Sequence, residues 1–322
     1  MNTGEQTIEW LYQEQLKIDD PWAIRTPNGF TWWPDKNAQT IEVIGEEIGQ
    51  NDEIGYLISI RTDFLCNLDM TDHSLAAVNA LLMVFAAMAG PVYDAENRTL
   101  NLCSLVRVHQ GISPWMNSLI SVAAVMQIAE ARIMANEAAR VLGAQEAVSG
   151  HPVHGVRQCP DKMVDIVANL IVPMGNEPCK WTQKDFQDAV DQYMHGQPSL
   201  AAHVDGLGCT VEFPFGERSS LCQMRADQPH PRYGNGLFIL QSFPVGEMSD
   251  AEGAKLALAL NEEELTVKPS GYGFGSFAYR DECIHFTSFL PNVTYGAGLL
   301  PNIYFANVLR TKQMAMRLAK HN

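Results

Sequence analysis

Basic residues are scarce in this chain. Lys and Arg number 22 against 37 Asp and Glu, a formal charge of −15. So few cations cannot assemble the phosphate-neutralising stripe that nucleic-acid binding requires, so DNA and RNA are excluded as expected partners. The deficit is uneven: residues 1–150 hold 8 basic and 19 acidic residues, residues 151–322 hold 14 and 18. Charge of either sign is thin at 18% while 46% of residues are apolar, the reverse of a disordered composition. Cysteine is sparse and unpaired in pattern. Seven thiols, at 66, 103, 159, 179, 209, 222 and 283, form no C-x-x-C pair, which argues against a disulfide framework. The opening Met1-Asn2-Thr3-Gly4-Glu5-Gln6 has neither the basic nor the apolar region of a signal peptide. A reducing cytoplasm is the expected location.

Catalytic signatures are missing as well. There is no G-x-x-x-x-G-K-[S/T] loop, no H-E-x-x-H and no G-x-S-x-G elbow. Gly271-Tyr272-Gly273-Phe274-Gly275-Ser276 is glycine-rich but lacks the G-x-G-x-x-G spacing, and it precedes a strand pattern, so no helix N-terminus would face a phosphate. Two uncharged stretches, Ser74–Tyr93 and His109–Ala129, have bilayer length. Asn79, Gly90-Pro91, Gln110 and Pro114 interrupt them, and neither has flanking Lys/Arg asymmetry. Buried helices are the expected outcome, with no membrane insertion.

An internal repeat is present. Gly55-Tyr-Leu-Ile-Ser-Ile-Arg leading to Met70-Thr71-Asp72 and Asn79 parallels Gly236-Leu-Phe-Ile-Leu-Gln-Ser leading to Met248-Ser249-Asp250 and Asn261. In each, a strand-length apolar run ends at a Thr or Ser suited to cap a helix start, and Ser249 with Glu252 makes a full capping box. Downstream, Leu100, Leu102 and Ser104 fall on Ile284, Phe286 and Ser288 at a constant offset of 184, with the period of two that marks strands. A long helical stretch follows each, to Arg140 and to Lys320.

The length fits about two domains. The predicted class is α+β: two tandem repeats, residues 1–142 and 182–322, each an antiparallel sheet flanked by helices in the order helix, three strands, helix, two strands, long helix, paired as a pseudo-dimer. The strands of the first repeat are placed near Gly29–Trp33, Thr40–Ile44 and Gly55–Ile60, then as a pair ending near Val106. Residues 143–181, with four prolines, read as a linker carrying one docked apolar helix, Asp161–Val172.

This arrangement, with the helix that ends at Asn79 or Asn261, the hairpin and the long closing helix, resembles the type III secretion chaperone-like fold. In particular it resembles the YbjN-type bacterial sensory transduction regulator family, over roughly 1–140 and again over 180–322. The resemblance implies a chaperone-like or regulatory role and brings no catalytic residues with it. Secretion chaperones are acidic and dimeric, so a tandem copy would be a built-in pair.

His151-Pro152-Val153-His154-Gly155-Val156-Arg157-Gln158-Cys159 is the compact cluster of candidate metal ligands, but a closed set of three or four donors is not evident and an ordered turn is expected. Cys103 and Cys283 read as buried thiols lacking a base to polarise them. No cofactor, metal or catalytic residue is assigned.

The tryptophans need cover, either by ordinary packing between the copies or by a partner. Phe30, Trp32 and Trp33 lie along one strand, where neighbours face opposite ways, and Glu42 and Glu46 crowd the next strand. The expected partner site is an aromatic floor of Phe30, Trp32 and Trp33 rimmed by Glu42 and Glu46. The expected function is non-enzymatic: an intracellular protein-interaction module for a protein or peptide client, a basic one being favoured by charge. The alternative is an enzyme or small-molecule binder using the cleft between the copies, with the His151–Cys159 loop as its polar wall.

Overall fold

A computed structural model describes the chain except for residues 50–51, 84–86, 195–200 and 322. Asn2 opens the chain with a capping box to Glu5, starting α1 (Thr3–Trp10), which runs on as a π-helical turn over 11–15. The strands β1 (Ala23–Thr26), β2 (Gly29–Trp32), β3 (Gln39–Ile48) and β4 (Ile54–Cys66) follow. Next come α2 (Asp72–Val78) with a π-helical turn over 79–83, then β5 (Gly90–Asp94), β6 (Thr99–Val108) and the long α3 (Ser113–Leu142). Gly143, at φ +65°, takes the left-handed conformation that stops α3. The connection holds β7 (Gln145–Glu146) and α4 (Lys162–Gly175). The second half repeats the series: α5 (Gln183–Met194), β8 (Ala201–Val204), β9 (Gly208–Phe215), β10 (Arg218–Arg225), β11 (Gly236–Pro244), α6 (Asp250–Glu262) with a π-helical turn over 263–267, β12 (Ser276–Arg280), β13 (Cys283–Pro291) and α7 (Leu299–His321).

The fold is α+β, with two antiparallel sheets flanked by helices. Strand order is β1-β2-β3-β4-β6-β5 in the first sheet and, running the same way, β8-β9-β10-β11-β13-β12 in the second. Each half thus has one strand more at its start than the sequence pattern indicates. β1 and β8 are four-residue edge strands, too short to show a period. Thr71 and Ser249 cap α2 and α6 as their sequence positions predict.

The repeat extends into the core. Ser104 pairs with Ile60 and Ser288 with Ile239, so the two sheets share one register. Two residue pairs further along, Thr62 Oγ1 donates to Gln127 Oε1 at 2.9 Å, and Gln241 Nε2 donates to Thr311 Oγ1 at 2.6 Å. Gln127 and Thr311 stand at the same offset of 184 as the two serines. The same buried threonine–glutamine bond joins sheet to long helix in both halves, with its partners exchanged.

The halves dock by reciprocal insertion. The turn 79–83 lies on β12 and β13, where Ser276 Oγ donates to Met83 O and Thr287 Oγ1 donates to the same oxygen at 3.2 Å. The turn 263–267 lies on β5 and β6, where Leu265 packs with Val92 and Cys103. Asn79 brackets the outer backbone edge of Tyr279, donating to its carbonyl at 2.9 Å and accepting from its amide at 2.8 Å. The glycine-rich loop belongs to this contact. Gly273 N donates to Leu105 O at 3.1 Å across the halves, and a Cβ at 273 would sit 2.2 Å from that oxygen.

Ser113–Leu142 is long and apolar enough to cross a membrane, yet 72% of its most apolar window is buried against the rest of the protein. It is the core helix of the first half. The stretch Ser74–Tyr93 is divided among α2, the turn 79–83 and β5.

Buried charge fastens the second half. Glu264 is fully buried and receives Arg317 Nη1 at 2.7 Å, Arg310 Nη2 at 3.2 Å and Ser270 N at 2.8 Å, while the Arg310 guanidinium lies 3.6 Å from the centre of the Phe286 ring. Burial pushes the Glu264 carboxyl up, but the two guanidinium groups and Ser270 outweigh it and hold it below the usual range. In the first half burial dominates at Glu130 and holds its carboxyl above the usual range, against Arg232, Tyr233 and the Ala87 amide. The two carboxyls therefore act oppositely on stability. The depressed Glu264 contributes stability present above its unfolded pKa and lost as pH falls through its folded one. The raised Glu130 costs stability as pH rises from its unfolded toward its folded pKa. Glu264→Gln strands two buried cations and is expected to cost about 3–5 kcal/mol in urea unfolding at neutral pH. Glu130→Gln is expected to gain stability relative to the parent as pH is raised.

Candidate functional site

The aromatic strand is interior. Phe30 packs edge-on against Tyr12 with centroids 5.1 Å apart, Trp32 Nε1 donates to Gln39 Oε1 at 2.9 Å, and Trp33 stands edge-on against His151 at 4.7 Å. All three side chains are buried, so the expected aromatic floor is not available to a client. The reason lies beyond the strand: the segment after β7 folds over the end of β2, with Arg157 Nη1 donating to Trp33 O at 2.9 Å and Asp161 N to Pro34 O at 2.7 Å. The acidic rim is divided too. A bulge between Val43 and Gly45 in the β3–β4 pairing turns the strand over. Glu42, half-buried, stays on the face away from the core helices, whereas exposed Glu46 lines a cavity of about 390 Å³ beside α1, with Glu5, Glu9 and Arg25.

The His151–Cys159 loop is a turn whose histidine is occupied. His151 Nδ1 accepts from Val153 N and His154 N, both at 3.2 Å, and its ring stacks on that of His154 at 4.9 Å. Among the described residues no three His, Cys, Asp or Glu side chains converge as metal ligands. The same turn recurs at His230-Pro231-Arg232-Tyr233-Gly234. There His230 Nδ1 accepts from Arg232 N at 3.1 Å and its ring stacks on Tyr233 at 4.8 Å. Gly155 and Gly234, at φ +70° and +69°, close the two turns by pairing back to His151 and His230. This His-Pro-x-[His/Tyr]-Gly repeat is visible in the sequence, but its copies lie outside the register of the larger duplication.

Other chemistry-bearing groups serve the fold. Burial pushes the Cys103 and Cys209 thiols up to about 12, far from a reactive thiolate. Ser242 and His285 are cross-strand neighbours with Oγ 2.8 Å from Nδ1, and His285 Nε2 lies 3.1 Å from Arg280 O. Burial pushes this imidazole down. None of the cavities described opens onto the pair. Between the halves, a cavity lined by Leu119 from one side and Ile239, Tyr272 and Phe274 from the other measures about 20 Å³, less than a small ligand needs.

The large concavity is elsewhere, within the second half. A groove of about 730 Å³ lies between α6, the last turns of α7, the end of β11 and the β9–β10 hairpin. Phe215, Val245, Met248, Leu256, Ala259, Ala315 and Leu318 make an apolar floor, and Glu217, Arg218, Glu247, Glu252 and Lys255 stand around it. The walls are fixed locally. Phe215 packs on buried Phe243 at 5.5 Å, Glu252 closes the α6 capping box, and Gly216 at φ +60° makes the hairpin turn. No family model, curated protein or solved structure matches the chain.

The burial of Trp33 has a measurable consequence. Trp33→Ala is expected to lower stability by about 3–5 kcal/mol in denaturant unfolding, as for a core aromatic, because it empties the space under the His151 turn. An exposed binding residue would instead leave the unfolding midpoint unchanged.

Proposed function

We propose that this chain is a non-enzymatic protein-interaction module of chaperone-like or regulatory type, acting inside the cell, that holds a segment of another protein in the groove between α6 and α7. The observation that carries the proposal is the groove itself: an apolar floor of about 730 Å³ rimmed by charged side chains, the composition of a binding patch in place of a solvated surface. The tandem α+β halves support it through their resemblance to type III secretion chaperone-like proteins of the YbjN type, which belongs to the same proposal. The overall charge of −15 favours a client with a net positive charge, by steering its approach.

Filling the groove tests the reading. Ala315 is exposed on α7 and lines the floor, so Ala315→Trp should occupy the groove without disturbing the core. A client retained by the parent protein should be lost by Ala315→Trp, with affinity down about tenfold or more and the melting temperature unchanged. Equal retention by both proteins would remove the groove from the function.

A further inference from the structure

The groove has a counterpart in the first half, and there it is filled. Its four walls correspond one to one: α2 to α6, α3 to α7, β4 to β11, and the β2–β3 connection to the β9–β10 hairpin. In the first half the chain leaves α3 at Gly143 and turns back through this place in extended form. Gln145 and Glu146 pair antiparallel with Cys66 and Leu65, and Ala147 N donates to Phe64 O at 3.0 Å. Ala147 is buried and Ala144 packs against the core. Glu146 points the other way, bonding Lys36 Nζ and accepting from Asn136 Nδ2 at 3.0 Å. Ser149 N completes the track by donating to Lys36 O at 2.9 Å.

The second half has the same walls and no such segment among its described residues. Ala131 is 2% exposed, while Ala315, at the offset of 184 that relates the two halves, is open. Phe243 and Pro244 stand where Leu65 and Cys66 stand, since Leu65 pairs with Leu100 and Phe243 with Ile284. They pair with β13 on one side but with no residue of β10 on the other. Arg218, on the hairpin that corresponds to the Lys36 connection, supplies a cation at the rim.

Building on the protein-interaction reading, we infer that the groove takes an extended segment of a partner protein that resembles residues 144–149. It carries alanine-sized apolar side chains spaced as Ala144 and Ala147, with a carboxylate between them directed at Arg218. A single carboxylate at this point is compatible with a client that is basic elsewhere. Pro244 has no N–H to offer where Cys66 has one, so side-chain burial carries more of the binding here than a backbone ladder does.

The probe is a synthetic peptide with the sequence of residues 142–150, titrated into the full-length protein and followed by amide chemical shifts. Saturable shifts confined to the groove are expected, with affinity falling about tenfold in Ala315→Trp and again when the glutamate of the peptide is replaced by lysine. An apolar, helix-forming peptide of equal length serves as comparison. If the extended peptide leaves the groove unshifted, or binds parent and Ala315→Trp alike, the inference is overturned. If the helical peptide alone binds and Ala315→Trp abolishes it, the segment type is wrong while the protein-interaction reading stands. If neither peptide nor client senses Ala315→Trp, both fall together.

Discussion

At one end of each sheet a short strand, β5 or β12, is covered by the opposite half, and that reciprocal cover organises the molecule. Unpaired edge strands recruit other chains. Here β12 is met by the π-helical turn 79–83 of the opposite half, and β5 by α6 and by Leu265 of the turn 263–267. Asn79 completes the outer backbone groups of Tyr279, while Asn261, at the matching place in the repeat, completes those of Phe277. Pro91 lies on β5 where Phe277 lies on β12 and has no amide hydrogen to give, so Asn79 cannot bracket its own sheet's edge as Asn261 does, and it reaches across to Tyr279 instead. The glycine-rich loop, the Leu105–Gly273 bridge and the bond from Phe289 N to Ala87 O at 2.9 Å all follow from the same close approach.

Within this symmetric plan the charged core is asymmetric. Glu264 and Arg310 take the positions that Leu82 and Met126 hold in the first half, and Glu130 takes the position of Met314. A buried ion pair adds little net stability compared with well-packed apolar residues, but breaking one is costly. Glu264 ties α7 to its own half, whereas Glu130 on α3 meets Tyr233 and Arg232 of the other half, so the two charges make the halves non-interchangeable. The groove follows the same division: the first half closes its version with the chain's own return, and the second has no such return among its described residues.

Local rules made the repeat legible. Thr71, Ser249 and the Glu252 capping box depend on neighbours three residues away, and Leu100, Leu102 and Ser104 against Ile284, Phe286 and Ser288 depend on a strand's period. What failed depends on distant segments. The strand pattern leaves Trp33 to face the other copy or a partner, yet it is covered by His151, far along the chain. Glu42 and Glu46 share a strand but not a face, because one bulge between them reverses the pattern. The Glu264–Arg310–Arg317 cluster joins a helix end to a later helix, and its members carry no mark in sequence. The groove needs four elements at once, and only the fold brings Phe215, Leu256 and Ala315 together.

Reciprocal docking means that neither half should open alone, and native-state hydrogen exchange measures this directly. The slowest amides of β4 in the first half and of β13 in the second are expected to exchange with the same free energy, equal to that of global unfolding. Exchange of one set through an opening more than about 2 kcal/mol cheaper than the other would contradict the account, because it would show two halves that merely touch.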